Sequence, residues 1–269
     1  MRVLTLYPGD REERALAGLY LDDLPAKGGH PFLYANFLAS LDGRIALRNA
    51  NGRKGVPEAI ANNRDWRLYT ELLVQADAVL TTGRHAEALA TGEQTDMIAI
   101  AHDRYPDLRR YRRSRGLSEH PVCIVVTSRF AFPADALKKA HPGAILTIGP
   151  HLDAAKRRAA HKAGIETVSL DSGTQVTGKD LIAALAARGL RRVYMVGGPR
   201  LFRGLLADKI VHRLYLTTAC RLLAGEQDTD TLVQGPVLPL PPEATLRRLA
   251  LDLDGRPQQI LASYDLTSY

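Results

Sequence analysis

Apolar and polar positions along the chain fall into two rhythms. Short, nearly continuous apolar runs at residues 31–39, 76–82, 121–127, 144–148, 166–170, 192–196 and 212–218 have the length of strands buried on both faces. Between them, residues 57–75, 83–89, 152–163, 178–188 and 199–206 carry the spacing of helices with one face on a core. Pro57 and Pro199 open two of these, at a position where a missing N–H is harmless. The alternation predicts an α/β protein with a mixed, mostly parallel sheet and helices on both faces. Ligands in such sheets sit beyond the carboxyl ends of the strands.

Two stretches stand apart from this rhythm. Residues 1–30 carry mixed charge, with a short helical piece ahead of Pro25-Ala26-Lys27-Gly28-Gly29, and read as an N-terminal extension to one domain over residues 31–269. The tail contains Pro236, Pro239, Pro241 and Pro242, and then two apolar stretches at 246–252 and 259–264 around Asp254-Gly255. These predict a C-terminal antiparallel hairpin at the sheet edge. The Asn/Gly-rich stretch 49–55 reads as a mobile loop.

Composition adds limits. With 45% hydrophobic residues among 269, the chain affords a sizeable core, and no apolar run approaches the roughly 18 residues of a membrane span, so a cytoplasmic protein is expected. Cys123 and Cys220 sit inside apolar runs without metal-like spacing and are expected to be buried free thiols, with no metal site. The 36 basic against 29 acidic residues give +7, much of it from Arg104, Arg109, Arg110, Arg112, Arg113 and Arg115. That cluster is either a polynucleotide patch or a solvated surface loop. No recognition fold accompanies it, which favours the loop and no nucleic-acid partner.

Three strand ends carry features suited to one ligand: Ser40-Leu41-Asp42-Gly43, Thr81-Thr82-Gly83-Arg84-His85, and Val196-Gly197-Gly198-Pro199. Glycine beside a helix start lets backbone amides meet a phosphate, and Arg84 adds a rigid positive fork matched to one. Together they suit a dinucleotide with an extra ribose phosphate. The G-x-G-x-x-G fingerprint is absent, so a different scaffold would hold it.

Residues 36–46 (Asn36-Phe37-Leu38-Ala39-Ser40-Leu41-Asp42-Gly43-Arg44-Ile45-Ala46), Ala76-Asp77-Ala78-Val79-Leu80, and residues 193–206 followed by 212–223 resemble the pyrimidine reductase domain of riboflavin biosynthesis. That domain has the dihydrofolate-reductase-like fold. Thr82-Gly83-Arg84-His85 and Gly197-Gly198-Pro199-Arg200-Leu201-Phe202 also resemble the two cofactor motifs of dihydrofolate reductases. The ordered set spans residues 31–269. It implies an NADPH-dependent reductase acting on a pyrimidine- or pteridine-like heterocycle, similar to 5-amino-6-(5-phosphoribosylamino)uracil reductase, and a homodimer, for which residues 214–223 and the tail hairpin are the candidate interface.

Carried over by position, the resemblance implies that Gly197 and Gly198, preceded by Val196, approach the cofactor pyrophosphate while Pro199, Arg200 and Leu201 open the helix over it. Thr82, Gly83 and Arg84, with His85 beside them, would hold the phosphate-bearing adenosine end, and Ser128 and Arg129 would add 2′-phosphate contacts. Ala39, Ser40 and Asp42 match the turn beside nicotinamide and substrate. Asn36, Asp42 and Asp65 are the catalytic candidates. Hydride transfer requires no protein nucleophile, so their work is orientation and electrostatics. Asp42 either orients the substrate or forms an Asx turn before Gly43. Asp65 matches the acidic substrate residue of dihydrofolate reductases, or is a solvent-facing aspartate early in a helix.

Two positions depart from the family's pattern. Its glutamate before the glycine pair is Val196 here. Its serine and arginines on the following helix fall in Ala61-Asn62-Asn63-Arg64-Asp65-Trp66 and beyond, where Arg64 and Arg67 either stand in for them or are exposed helix arginines. Dihydrofolate reduction and a non-catalytic NADPH-binding module therefore remain as alternative functions.

Overall fold

The computed structural model describes residues 1–48, 54–93, 98, 100, 104–150, 152–170, 175–225 and 229–267. In chain order they form β1 (Arg2–Tyr7), β2 (Glu12–Ala15), β3 (Phe32–Ser40), β4 (Arg44–Arg48), β5 (Lys54–Gly55), α1 (Asn63–Leu73), β6 (Ala78–Thr82), α2 (Gly83–Ala90), α3 (Pro106–Ser114) and β7 (Val122–Val126). There follow α4 (Ala134–Ala140), β8 (Ile145–Pro150), α5 (Ala154–Lys162), β9 (Glu166–Leu170), α6 (Gly178–Ala186), β10 (Arg192–Met195), α7 (Pro199–Ala207), β11 (Val211–Ala219), β12 (Thr229–Thr231), β13 (Glu243–Asp252) and β14 (Gln259–Thr267). The strands and helices give the α/β class read from the pattern, with mixed, mostly parallel pairing and the C-terminal antiparallel pair.

The chain divides into two compact units. The first comprises Met1–Leu24, Leu33–Leu72 and Pro199–Tyr269. Its strands run in the order β2-β1-β13-β14-β11-β3, with β12-β4-β5 as a small separate sheet. Among the described residues of this unit, β11 and β3 are the parallel pair; β13 and β14 form the long hairpin, in register from Glu243↔Thr267 to Asp252↔Gln259 with one irregularity. Side chains two apart on a strand share a face, so Tyr34 and Phe37 of β3 point to opposite faces. Tyr34 donates its hydroxyl to the Leu72 carbonyl of α1 at 2.9 Å, whereas Phe37 lies against Phe202 of α7, so both faces are covered.

The second unit comprises Pro25–Phe32 and Leu73–Gly198, and its strands β10-β6-β7-β8-β9 are all parallel. Glycine sets how closely three of these strand ends meet. A Cβ at Gly83 would lie 2.6 Å from Thr127 Oγ1, and one at Gly149 would lie 2.1 Å from the Thr127 carbonyl oxygen. Thr127 is thus wedged where the ends of β6, β7 and β8 converge.

Several local expectations change. The short helical piece before Pro25 is absent: residues 2–15 form β1 and β2, with β1 antiparallel to β13. The helix expected from Pro57 begins at Asn63, because the Asn62 side chain caps it, accepting from Arg64 N and Asp65 N at 2.9 Å each. The arginine-rich stretch is not a loop but α3, and Arg112 is buried in it, donating to the carbonyls of Val74, Ala76 and Ser118. Cys123 is buried as expected, whereas Cys220 is exposed. Residues 49–53 of the glycine-rich loop lie outside the described residues. No described helix is long and apolar enough to cross a membrane.

Candidate functional site

In the second unit, three neighbouring parallel strands deliver their carboxyl ends to one edge. The first is β6, whose last residue Thr82 caps α2 by accepting from His85 N at 3.4 Å. Gly83 and the half-buried His85 belong to the first turn of α2, while Arg84 stands exposed, with no ion pair among the described residues. The second is β7, in register with β6 through Thr82↔Val126. It runs into a turn that Thr127 shapes by accepting from Arg129 N and Phe130 N at 3.3 and 3.2 Å. Lys156 donates to the Arg129 carbonyl at 2.7 Å. The backbone of this turn is therefore held from two sides while the side chains of Ser128 and Arg129 face solvent.

The third end belongs to β10. Val196 N donates to the Leu80 carbonyl at 3.0 Å, Gly197 is buried and Gly198 exposed, and α7 begins at Pro199 with Arg200 exposed and Leu201 half-buried. A Cβ at Gly198 would meet nothing within 4 Å, and no left-handed φ requires glycine there. Neither packing nor backbone conformation explains this glycine. A ligand passing close to the backbone would, and a helix start next in the chain has outward N–H groups suited to an anion. The residues present thus fit a phosphate-bearing dinucleotide: glycine and helix start for its pyrophosphate, and the Arg84 and Arg129 forks for a further phosphate.

In the first unit, β3 ends in the buried Ala39 and Ser40. The Ser40 hydroxyl donates to Asp42 Oδ1 at 2.6 Å and accepts from Arg44 N at 3.0 Å. Asp42 also accepts from Leu223 N and Ala224 N, at 3.1 and 2.8 Å. These bonds, the one from Ser40 foremost, pull its carboxyl down to about 2. Asp42 is thus ionised near neutrality, and its oxygens tie its own turn, completed by Gly43 at φ +78°, to residues 223–224. This is not the Asx-type alternative, because Arg44 N goes to the Ser40 hydroxyl rather than to the Asp42 carboxylate, which reaches a distant segment instead.

Asp65 is its opposite. It lies 9% exposed on α1, takes a hydrogen bond from the Thr217 side chain, and leaves Oδ1 without a hydrogen-bond partner among the described residues. Burial raises its carboxyl to about 6, the Thr217 bond opposing in part. The solvent-facing alternative is thereby excluded. Asn36 lies on the same side of the sheet: it pairs with Tyr215, which shares a strand face with Thr217, and its Oδ1 is likewise buried and unpartnered among the described residues. Buried polar atoms are almost always paired, and these two oxygens are among several on this face without a partner among the described residues, Ser263 Oγ and Gln259 Oε1 included.

Arg64 and Arg67 are neither exposed nor available to a substrate. Arg64 pairs with the buried Asp252 and donates to the Arg2 carbonyl, and Arg67 pairs with the buried Glu71 at 2.8 Å. Thr217 and Thr127 were not singled out from sequence, although each is a polar residue interrupting the end of an apolar run, the one signal that could have found them.

The RibD C-terminal domain model matches residues 31–251, and the chain belongs to that family. In structure it is similar to a pyrimidine reductase-like protein from Corynebacterium diphtheriae, with TM-score 0.69, 18% identity, and coverage of 95% of this chain and 100% of that one. It is also similar to Acinetobacter baumannii RibD, with TM-score 0.63 and 16% identity over 89% of this chain, which spans 58% of the RibD chain. The riboflavin biosynthesis reductase Rib7 of Saccharomyces cerevisiae gives TM-score 0.57 and 16% identity, covering 92% of this chain and 96% of that one. No curated protein matches by sequence. At these identities the structural likeness concerns the fold, which is the one the sequence resemblance implied.

Proposed function

We propose that the protein is an NADPH-dependent reductase that transfers a hydride to a pyrimidine- or pteridine-like ring, as 5-amino-6-(5-phosphoribosylamino)uracil reductase does. The observation that carries it is the edge of the second unit, where solvent-facing guanidiniums follow the neighbouring strands β6 and β7, and the next strand over, β10, ends in a glycine that the protein's own packing does not need. Family membership supports the same chemistry.

NADPH, when bound, supplies the hydride. Gly197, Gly198 and the start of α7 would take its pyrophosphate, and Thr82 to His85 with Ser128 and Arg129 its phosphorylated adenosine end. In the first unit, Asp65 and Asn36 would orient the heterocycle through their unpartnered oxygens, which accept from ring N–H or amino donors. Asp65 is also the group able to give a proton near neutrality. With its carboxyl at about 6, it is half protonated at that pH, and about a tenth remains protonated one pH unit higher. Asp42, fully ionised, would hold the strand-end turn rather than carry protons.

The test is a titration with NADPH and NADH, followed by NADPH oxidation against a panel of pyrimidine and pteridine substrates. The expected result is a preference for NADPH of about tenfold or more, lost in Arg84→Ala. Equal affinity for both cofactors would refute the phosphate assignment. Tight NADPH binding with no heterocycle reduced would instead favour a non-catalytic module, a reading that Val196, in place of the family's glutamate, keeps in view.

A further inference from the structure

Residues 1–30 lie outside the stretch that matches the family, yet part of this segment is tied tightly into the first unit. Leu16, Leu19, Tyr20 and Leu24 are buried. The carboxylate of Glu71 accepts from Gly18 N at 2.6 Å and from Tyr20 N at 3.0 Å while also pairing with Arg67. Arg248 donates to the Leu19 carbonyl at 2.7 Å and to Asp23 Oδ1 at 2.8 Å, and the Tyr215 hydroxyl donates to Asp23 Oδ2 at 2.7 Å. A surface strap would not need two buried carboxylates and a half-buried guanidinium as anchors, and buried charges of this kind serve geometry more dependably than stability.

These anchors fix the ring of Tyr20. It lies fully buried with its centroid 4.8 Å from that of Tyr215, on the strand face that also carries Thr217, the partner of Asp65. Asp65 is near enough to oppose ionisation of the Tyr20 phenol. Asp65 and Glu71 stand six residues apart on α1, so one helix both bears the acid and grips the loop beside it.

We propose that residues 16–24 are a positioning element for Asp65, with Tyr20 as the wall that keeps water from its carboxyl. The proposal rests on Asp65 serving the reduction, and it assigns to a segment outside the family match a part in the site. Around the pair, the charged groups are Asp23, Arg213 and Arg248 on the side of Tyr215, itself a phenol bonded to Asp23, and Glu71 with Arg67 on α1. Each of these is in an ion pair, which leaves exclusion of water as the main influence on Asp65.

The test follows the Asp65 carboxyl directly, by carbon-13 NMR titration of the full chain with labelled aspartate, and in parallel the pH profile of kcat/KM. In wild type the carboxyl is expected to titrate at about 6. Tyr20→Phe keeps the wall and leaves that value in place. Tyr20→Ala opens the wall and lowers it by about one pH unit or more, with the profile moving alongside. Glu71→Gln, which weakens the grip on Gly18 and Tyr20, moves it in the same direction by less. Thermal melts show which variants fold, and a folded Tyr20→Ala or Glu71→Gln protein with the Asp65 titration unmoved overturns the proposal. If the titration moves while Asp65→Asn keeps full activity, the wall stands and the assignment of Asp65 to the reduction falls.

Discussion

In the first unit, Glu71, Asp252, Asp23 and Arg213 lie almost wholly inside, each matched to an opposite charge; in the second, Arg84 and Arg129 stand in solvent at adjacent strand ends. Arg112 is the second unit's buried counterexample, and it is spent on backbone carbonyls. Burying a charge is expensive unless it is paired, so the interior charges of the first unit hold parts in register. Exposed guanidiniums do little for stability and remain free to meet an anion. Asp65 breaks the first unit's rule, being buried with no cationic partner among the described residues, and this is the ground on which a chemical role is proposed for it.

The largest effect should come from breaking an interior pair. Asp252 is fully buried, accepting from Arg64 through one oxygen and from Gly255 N at 3.1 Å through the other. Asp252→Ala strands Arg64 and is expected to destabilise the protein by about 3–5 kcal/mol in urea unfolding. A loss below about 1 kcal/mol would show that the interior charges of this unit are not the structural pins they are taken to be.

Asp65→Asn should act on turnover instead, lowering kcat by about a hundredfold or more if the carboxyl both orients and protonates the ring. Its stability effect should have the opposite sign. Folding raises this carboxyl from 3.8 to about 6, so the native state binds the proton more tightly. The associated stability is complete below about pH 4 and is lost as pH rises through 6, a difference of about 3 kcal/mol. Above pH 6 the asparagine variant should therefore unfold at higher denaturant than wild type. Lower stability at pH 8 would mean that Asp65 has an undetected partner. A wild-type kcat that rises steadily from pH 5 to 8 would rule out the acid form as the working one.

At the solvent edge the effects are smaller and confined to the cofactor. Arg84→Ala and Arg129→Ala should each weaken NADPH by about tenfold, leave NADH unchanged, and shift stability by less than about 0.5 kcal/mol. If the two serve one phosphate, the double variant should lose less than the sum of the single losses, because the first removal already breaks the shared clamp.

The strand and helix alternation was legible because most strands here are covered on both faces and read as unbroken apolar runs. β1, β2 and β4 were not, since Arg2, Glu12, Glu13, Arg14, Arg44 and Arg48 interrupt the pattern with ionic side chains. The arginine-rich α3 was misread as a loop because charge suggested exposure, whereas Arg112 is covered by the carbonyls it satisfies. The glycine and arginine turns of the second unit could be placed from sequence because they are contiguous. The surroundings of Asp65 could not, since Tyr20, Asn36 and Thr217 come from three distant segments and meet only through strand register and the anchoring of the N-terminal loop.

The finest test of the contrast sets two glycines of the second unit against each other. At Gly83 a Cβ would press to 2.6 Å of the Thr127 hydroxyl, so Gly83→Ala must displace Thr127 or the start of α2, costing about 1–3 kcal/mol of stability. At Gly198 a Cβ would stand in open space. Gly198→Ala should therefore unfold within about 0.5 kcal/mol of wild type. Its effect should appear only when NADPH is titrated, as a several-fold weaker Kd, because on the proposed reading the new methyl would stand in the path by which the pyrophosphate approaches the amides opening α7. A variant that is unchanged in both respects would mean that the ligand does not pass over this glycine. Loss of stability alone would mean that Gly198 serves packing after all. Only an unaltered fold with weakened cofactor binding leaves the solvent edge as a surface shaped by what it binds.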